Sequence, residues 1–329
     1  MICPVGRAAR AASTFMIVMV ATGLGCRTPA ALEAPEPITS GRCPIDMVLV
    51  PAGAFTMGDG VAQCGASRHT VSITRGFHLG RHEVTNQEYL EAVRWACRHG
   101  YVSVTAVSVR DSLDGSSVEL LDLDDDDCEI AFSDGEFSLR DAGHGINPDH
   151  PVKRVSWYGA ARFCDWLSLQ EELPRAYKHD GDWACNGGDP YDARGYRLPT
   201  DAEWEYAAQY DDGRLYPWGY RAPGTDLLNC CREVGWTTPV GSYPPAPASL
   251  GLEDMAGNAW EYCNDWHECS LGDTAVTDPA GPRSGIGRVV RGGSWMRYRD
   301  VFRRASRFCG APSGGSDHFA FRVARTMTR

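Results

Sequence analysis

The sequence predicts an α+β domain with little regular secondary structure. Three observations carry that expectation. Two Thr-x-x-Glu boxes, Thr85–Glu88 and Thr200–Glu203, mark helix starts: the Thr hydroxyl accepts from an orphan amide of the first turn while the Glu reaches back to the cap amide. Short stretches such as Val71–Thr74 and Phe77–Gly80 alternate like half-buried strands. Beyond Gly213 helical periodicity gives way to Gly, Pro and aromatic residues. The chain carries 36 glycines in 329 residues, against a usual share of ~7%.

Taken in order, Ala11–Gly25 is apolar and small and follows Arg7 and Arg10. That is the pattern of a secretory signal at residues 1–25. It ends in Gly23-Leu24-Gly25-Cys26, which resembles a bacterial lipobox with its leucine one position late, so Cys26 is the expected lipidation site. Residues 26–45 are Pro-rich and polar, as a tether would be. Met47–Gly53 opens the folded part as a strand running into a turn. The first capping box predicts a helix through Tyr89–Cys97, and residues 99–146 read as an insertion of strands and loops. Its acidic run, Asp124–Asp127, lacks the alternation of an EF-hand loop and predicts a solvated turn. Ser156–Ser168 has Trp157, Ala160, Ala161, Phe163, Cys164 and Leu167 at helical spacing. After a polar, Gly-rich connection, the second capping box predicts a helix to about Gln209.

Charge and cysteine content narrow the class. With 32 basic and 43 acidic side chains the formal charge is −11, so a nucleic-acid partner is not expected. No apolar run reaches the ~18 residues of a membrane-spanning helix, which excludes a multi-span membrane protein. Thirteen cysteines suit an oxidising compartment. Without Cys3 and Cys26 their number is odd, so one stays unpaired or bonds outside the chain. The adjacent Cys230 and Cys231 cannot easily bond each other, which favours separate structural bridges. Cys263, His267 and Cys269 have no second ligand pair at zinc-finger spacing, which favours a disulfide there.

Eight blocks then occur in sequence: Met47–Gly58, His82–Asn86, Pro151–Leu167, Gly195–Ala208, Tyr216–Gly219, Gly251–Glu261, Arg291–Trp295 and Ala320–Val323. This string resembles the sulfatase-modifying-factor domain of the formylglycine-generating-enzyme family. The resemblance spans residues 46–327 as one domain and overrides the two-domain prior set by length. It implies the C-type-lectin-like formylglycine-generating-enzyme fold and a structural calcium ion. The family's calcium ligands fall on Asp254, Gly257, Ala259 and Glu261, with Asp254 in place of an asparagine. Two carboxylates and two backbone carbonyls are the hard oxygens calcium takes.

The resemblance also implies copper held by two cysteines, the first three residues past the serine of the Gly-Gly-Ser turn. Here that turn is Gly292-Gly293-Ser294, the first cysteine position is Arg297, and the second falls in a shortened segment without cysteine. A guanidinium cannot replace a soft thiolate, so copper is not expected. Trp260, Ser294, Trp295, Arg297 and Arg299 then become the candidate cleft residues. Arg288, Arg291, Arg297, Arg299, Arg303, Arg304 and Arg307 crowd the same stretch. Either they line a groove for an anionic ligand or they pair with the surplus acids. The expected protein is a lipid-anchored, envelope-exposed, catalytically degenerate domain that binds a peptide, protein or glycan ligand. One alternative is an oxidase of protein cysteine using Cys309, Cys263 or Cys269 for copper; another is a structural envelope component.

Overall fold

Both capping boxes form. Thr85 accepts from the Glu88 amide at 3.2 Å and Glu88 accepts from the Thr85 amide at 2.8 Å; Thr200 and Glu203 do the same at 3.1 and 2.9 Å. Each box satisfies two amides that a helix start would otherwise leave orphaned. The computed structural model describes residues 45–328 apart from 62, 63, 65, 66, 180, 181, 211, 299 and 300. The signal segment, Cys26 and nearly all of the expected tether lie outside the described residues, as does Arg299. The chain divides into Met1–Ala34, also outside them, and Pro35–Arg329.

Four strands come first: β1 (Met47–Val50), β2 (Gly53–Met57), β3 (His69–Ile73) and β4 (Phe77–Gly80). Helix α1 (Asn86–Arg98) leads into the expected insertion, β5 (Val102–Val104), β6 (Ser108–Asp111), β7 (Glu119–Asp122), β8 (Ile130–Ser133) and β9 (Glu136–Leu139). Helices α2 (Trp157–Gln170) and α3 (Asp201–Gln209) follow, and Ser156 caps α2 through the Gly159 amide. The last strands are β10 (Trp260–Trp266), β11 (Val276–Thr277), β12 (Arg288–Arg291), β13 (Phe308–Gly310), β14 (Phe319–Phe321) and β15 (Ala324–Thr326). The acidic run is a turn, pinned by Arg154 to Asp125 and Asp127 at 3.0 and 2.9 Å.

The central sheet has the order β13-β12-β10-β14 and divides two cores. Side chains on a strand alternate between faces. Trp260 and Tyr262 of β10 and Val290 of β12 join the core built on α1 and α2, while Cys263 and Val289 join the core built on α3. Indole donors tie both helices to β10: Trp157 Nε1 donates to the Cys263 carbonyl and Trp204 Nε1 to Glu261, each at 2.8 Å. A strand covered on both faces shows no alternation of apolar and polar residues, and six of the seven β10 residues are buried. Four further small sheets are present among the described residues.

Among the described residues one disulfide is present, Cys64–Cys269. It bears out the disulfide expected near Cys263, His267 and Cys269, although Cys263 itself remains a buried thiol. The separate bridges expected of Cys230 and Cys231 do not occur among the described residues. Their sulfurs instead lie 3.0 Å apart. Among the described residues no helix is long and apolar enough to cross a membrane.

Candidate functional site

The arginine-rich stretch resolves into two environments. Arg288 and Arg291 stand three apart on β12 and therefore project to opposite faces. Arg291 enters the first turns of α3, where its Nε donates to Asp201 at 2.5 Å and its Nη2 to Glu205 at 3.0 Å. Arg304 donates to the other oxygen of Glu205 at 2.5 Å, and Arg307 to the other oxygen of Asp201 at 2.7 Å. Arg303 reaches Asp59 at 2.7 Å. These four arginines are acid-paired, so they do not line the anion groove weighed from the sequence. Burial pushes Asp201 up, but Arg291 and Arg307 outweigh it and hold its carboxyl below the ordinary value. Neighbouring Asp265 has no such partner: burial, and then the charge of Asp201, push it up to about 7.

The candidate cleft residues are brought together only in part. Gly292 and Gly293 adopt φ of 90° and 83°, a region costly for residues with a Cβ. A Cβ on Gly293 would also lie 2.7 Å from the Phe302 ring. Ser294 follows, fully buried, its hydroxyl without a partner. The Arg297 amide donates to the Ser294 carbonyl at 2.9 Å. The Arg297 guanidinium sits 5.9 Å above the Phe308 ring, which stacks at 5.7 Å on Trp260. Trp295 points elsewhere. Its ring lies 5.8 Å from Trp236 and its Nε1 donates to the Asp317 carbonyl at 3.4 Å. Trp260, Ser294 and Trp295 are buried, so these side chains are packing residues of the turn more than walls of an open groove.

Sequence reasoning passed over Lys153. It is buried 3.0 Å from Glu129 and its ammonium lies 3.4 Å from the centroid of Trp236. Burial pulls it down to about 8 against the opposing pull of Glu129. The signal was available: Lys153 is one of two lysines in the chain and stands with Arg154 between Val152 and Val155.

At the copper positions the residues do not fit. Arg297 occupies the first, and the three cysteines considered as substitutes are not gathered there. Cys269 is in the disulfide, Cys263 is buried with its thiol pushed well up by burial, and Cys309 lies on β13. The sulfurs beside this turn belong to Cys230 and Cys231. The Cys231 amide donates to the Arg297 carbonyl at 2.9 Å and the Arg232 amide to the Trp295 carbonyl at 2.8 Å.

The expected calcium loop is also more crowded than the sequence suggests. Glu261 gives both oxygens to Arg322, each at 2.6 Å, and one also to Trp204. Asp254 accepts from the Gly241 amide at 2.7 Å. Among the described residues no three His, Cys, Asp or Glu side chains converge as metal ligands. Yet Glu83 is wholly buried, both of its oxygens lack a partner, and burial and then the charges of Asp254 and Glu261 push it well up. Glu261 thus pairs with Arg322, and Glu83 and Asp254 act on the same guanidinium electrostatically. The orphaned oxygens of Glu83 are hard acceptors of the kind a cation takes. Glu83 is a buried acceptor beside the expected loop that sequence reasoning missed.

Residues 33–327 match the sequence profile of the sulfatase-modifying factor enzyme 1-like domain. The chain belongs to that family. A Streptomyces coelicolor protein named formylglycine-generating enzyme is 30% identical over 334 residues, covering 90% of this chain and 94% of its own. A Chlamydia trachomatis protein named serine/threonine-protein kinase Pkn1 is 29% identical over 303 residues. That match covers 89% of this chain and 39% of the kinase-named protein, so this chain spans less than half of that relative. Among solved structures, Treponema denticola variable protein 1 superposes with a TM-score of 0.63 at 24% identity, covering 85% of this chain and 95% of its own. PvdO from Pseudomonas aeruginosa gives 0.62 at 22%, covering 89% and 100%. These likenesses show the formylglycine-generating-enzyme fold.

Proposed function

We propose that this family member is catalytically degenerate and serves as a calcium-stabilised module that binds a peptide, protein or glycan ligand. It works at the bacterial cell envelope, secreted across the inner membrane and held to a membrane by lipid on Cys26. The observation that carries the reading is Arg297 where the copper enzymes of the family have a thiolate. A permanently cationic fork offers no soft electron pair to a metal. Calcium would be held by Asp254, the carbonyls of Gly257 and Ala259, and Glu83, with Glu261 neutralised in part by Arg322. The ion would supply positive charge to buried carboxylates and so stabilise the fold, with no part in a reaction.

The test is incubation of the purified domain with copper, oxygen, a thiol reductant and a sulfatase-type cysteine peptide, followed by mass analysis. Unchanged peptide is expected, and aldehyde product would overturn the reading. One observation favours a second reading, an oxidase of protein cysteine: the sulfurs of Cys230 and Cys231 are 3.0 Å apart beside the Ser294–Arg297 turn. Product that disappears in Cys230→Ser and Cys231→Ser variants would establish it.

A further inference from the structure

Lys153, Glu129 and Asn86 meet in a buried polar cluster that neither the arginine network nor the expected calcium loop uses. They are 2%, 3% and 1% exposed. Asn86 opens α1, Glu129 immediately precedes β8, and Lys153 lies between the Thr85–Pro151 bridge and α2. Backbone hydrogen bonds hold the first and last of these segments side by side: the Asn86 amide donates to the His150 carbonyl and the Val152 amide to the Val84 carbonyl, each at 2.9 Å. A single carboxylate oxygen, Oε2 of Glu129, touches both side chains. Lys153 Nζ lies 3.0 Å from it, and Asn86 Nδ2 donates to it at 3.0 Å. The other oxygen of Glu129 accepts from Asn147 Nδ2 at 2.7 Å. Trp236 covers the lysine nitrogen, which is 3.4 Å from the ring centroid.

Two atoms of this cluster are poorly served among the described residues. Lys153 Nζ carries three N–H donors, yet it has only the charge of Glu129 and the face of Trp236. Asn86 Oδ1 has no hydrogen-bond partner. A buried ammonium with unmade hydrogen bonds is costly, and burial pulls Lys153 down to about 8. Its neutral amine, the nucleophilic form, is therefore within reach near neutral pH. Burial pushes Glu129 up, but Lys153, Asn147 and Asn86 outweigh it and hold the carboxyl below its ordinary value, as a proton acceptor. The closed site excludes water, the nucleophile that would otherwise compete for the carboxamide. Fixing an amine beside its target can raise its effective concentration to ~10⁵–10⁸ M.

We propose that Lys153 and Asn86 join in an intramolecular isopeptide bond, with Glu129 carrying the protons. Glu129 Oε2 takes a proton from Nζ, and the freed electron pair attacks Asn86 Cγ. The Nζ–Cγ bond forms and the Cγ–Nδ2 bond breaks. Glu129 touches both nitrogens, so it passes two lysine protons to Nδ2, which leaves as an ammonium ion. An ammonium and a primary amide thus become a secondary amide and an ammonium ion, with no change of oxidation state and no co-reactant. The product carries one N–H in place of a buried charge. It ties the start of α1 to the segment before α2, constraining the unfolded chain as a disulfide does but surviving reductants. The inference is independent of whether the domain binds calcium or copper.

The purified chain is digested with trypsin under denaturing, reducing conditions and its peptides are weighed and sequenced by mass spectrometry. Cleavage after arginine releases residues 82–94 with Asn86 and residues 141–154 with Lys153, where an acylated lysine is not cut. The two peptides are expected joined, one ammonia lighter than their sum, through Lys153 and Asn86. Lys153→Arg and Asn86→Ala are expected to release them separately, and Glu129→Gln to leave most of the chain unjoined. Separate peptides from the parent overturn the proposal, whatever the variants do. So does a bond from Lys153 to Asn147 or, with loss of water, to Glu129. A Glu129→Gln chain that joins as completely as the parent overturns the role given to the carboxylate.

Discussion

The two faces of the central sheet bury arginine in different ways. On the α3 face, Arg291, Arg304 and Arg307 share the four oxygens of Asp201 and Glu205. On the α1–α2 face, Arg288 has two indole rings and one backbone carbonyl. The first arrangement is closed, since every carboxylate oxygen already accepts from a guanidinium. The second leaves two buried guanidinium nitrogens without a hydrogen-bond partner. Arginine richness in a sequence therefore says little about binding until the acids that reach each guanidinium are known.

The comparison breaks most readily at Glu205. It holds Arg291, Arg304 and the Gly58 amide, so Glu205→Ala leaves two buried cations short of charge. A loss of ~3–5 kcal/mol in urea-induced unfolding is expected. Titration sharpens the same contrast. The Asp265 carboxyl is raised to about 7, first by burial and then by Asp201. A raised acid gives stability that is full below its unfolded value of ~3.9 and is lost as pH rises through the folded one. Between about pH 4 and pH 8 the melting temperature should fall, by an effect on the order of a few kcal/mol. Asp265→Asn should flatten that slope and match the parent at low pH.

Calcium tests whether a cation completes the Glu83 cluster as the arginines complete the α3 face. At a hundredfold excess over the dissociation constant it should add ~2.7 kcal/mol. Glu83→Gln should lose most of that gain, and a chelator that leaves the parent's melting curve unmoved would count against the site. The smallest effect is at the caps. Thr200→Ala should cost ~1 kcal/mol and loosen the α3 turn that presents Asp201, whereas Thr85→Ala should cost about the same and leave the arginine network intact.

Local signals were legible in the sequence and distant ones were not. The capping boxes, the α2 spacing and the strands of β3 and β4 depend on residues within a turn or two of each other. The positions expected for calcium came from the resemblance alone, and the buried Glu83 was not legible, because a single Glu after His82 carries no periodic signal. No individual strand from β10 onward was legible. Most are three or four residues long, and β10 is buried on both faces, which erases alternation. The Arg291 pairing spans 86 and 90 residues and the disulfide spans 205, separations that no local pattern encodes. Cys230 and Cys231 were read as partners for other cysteines because adjacency alone does not place them beside Arg297.

β4 takes β1 on one edge and β15 on the other. The opening and closing strands of the domain thus flank a common neighbour. During synthesis from the amino end, β4 keeps one unsatisfied row of amides and carbonyls until the last strand emerges. Such a row recruits foreign strands. The β1-β4-β15 sheet therefore cannot close until β15 has been made, however early the helices form.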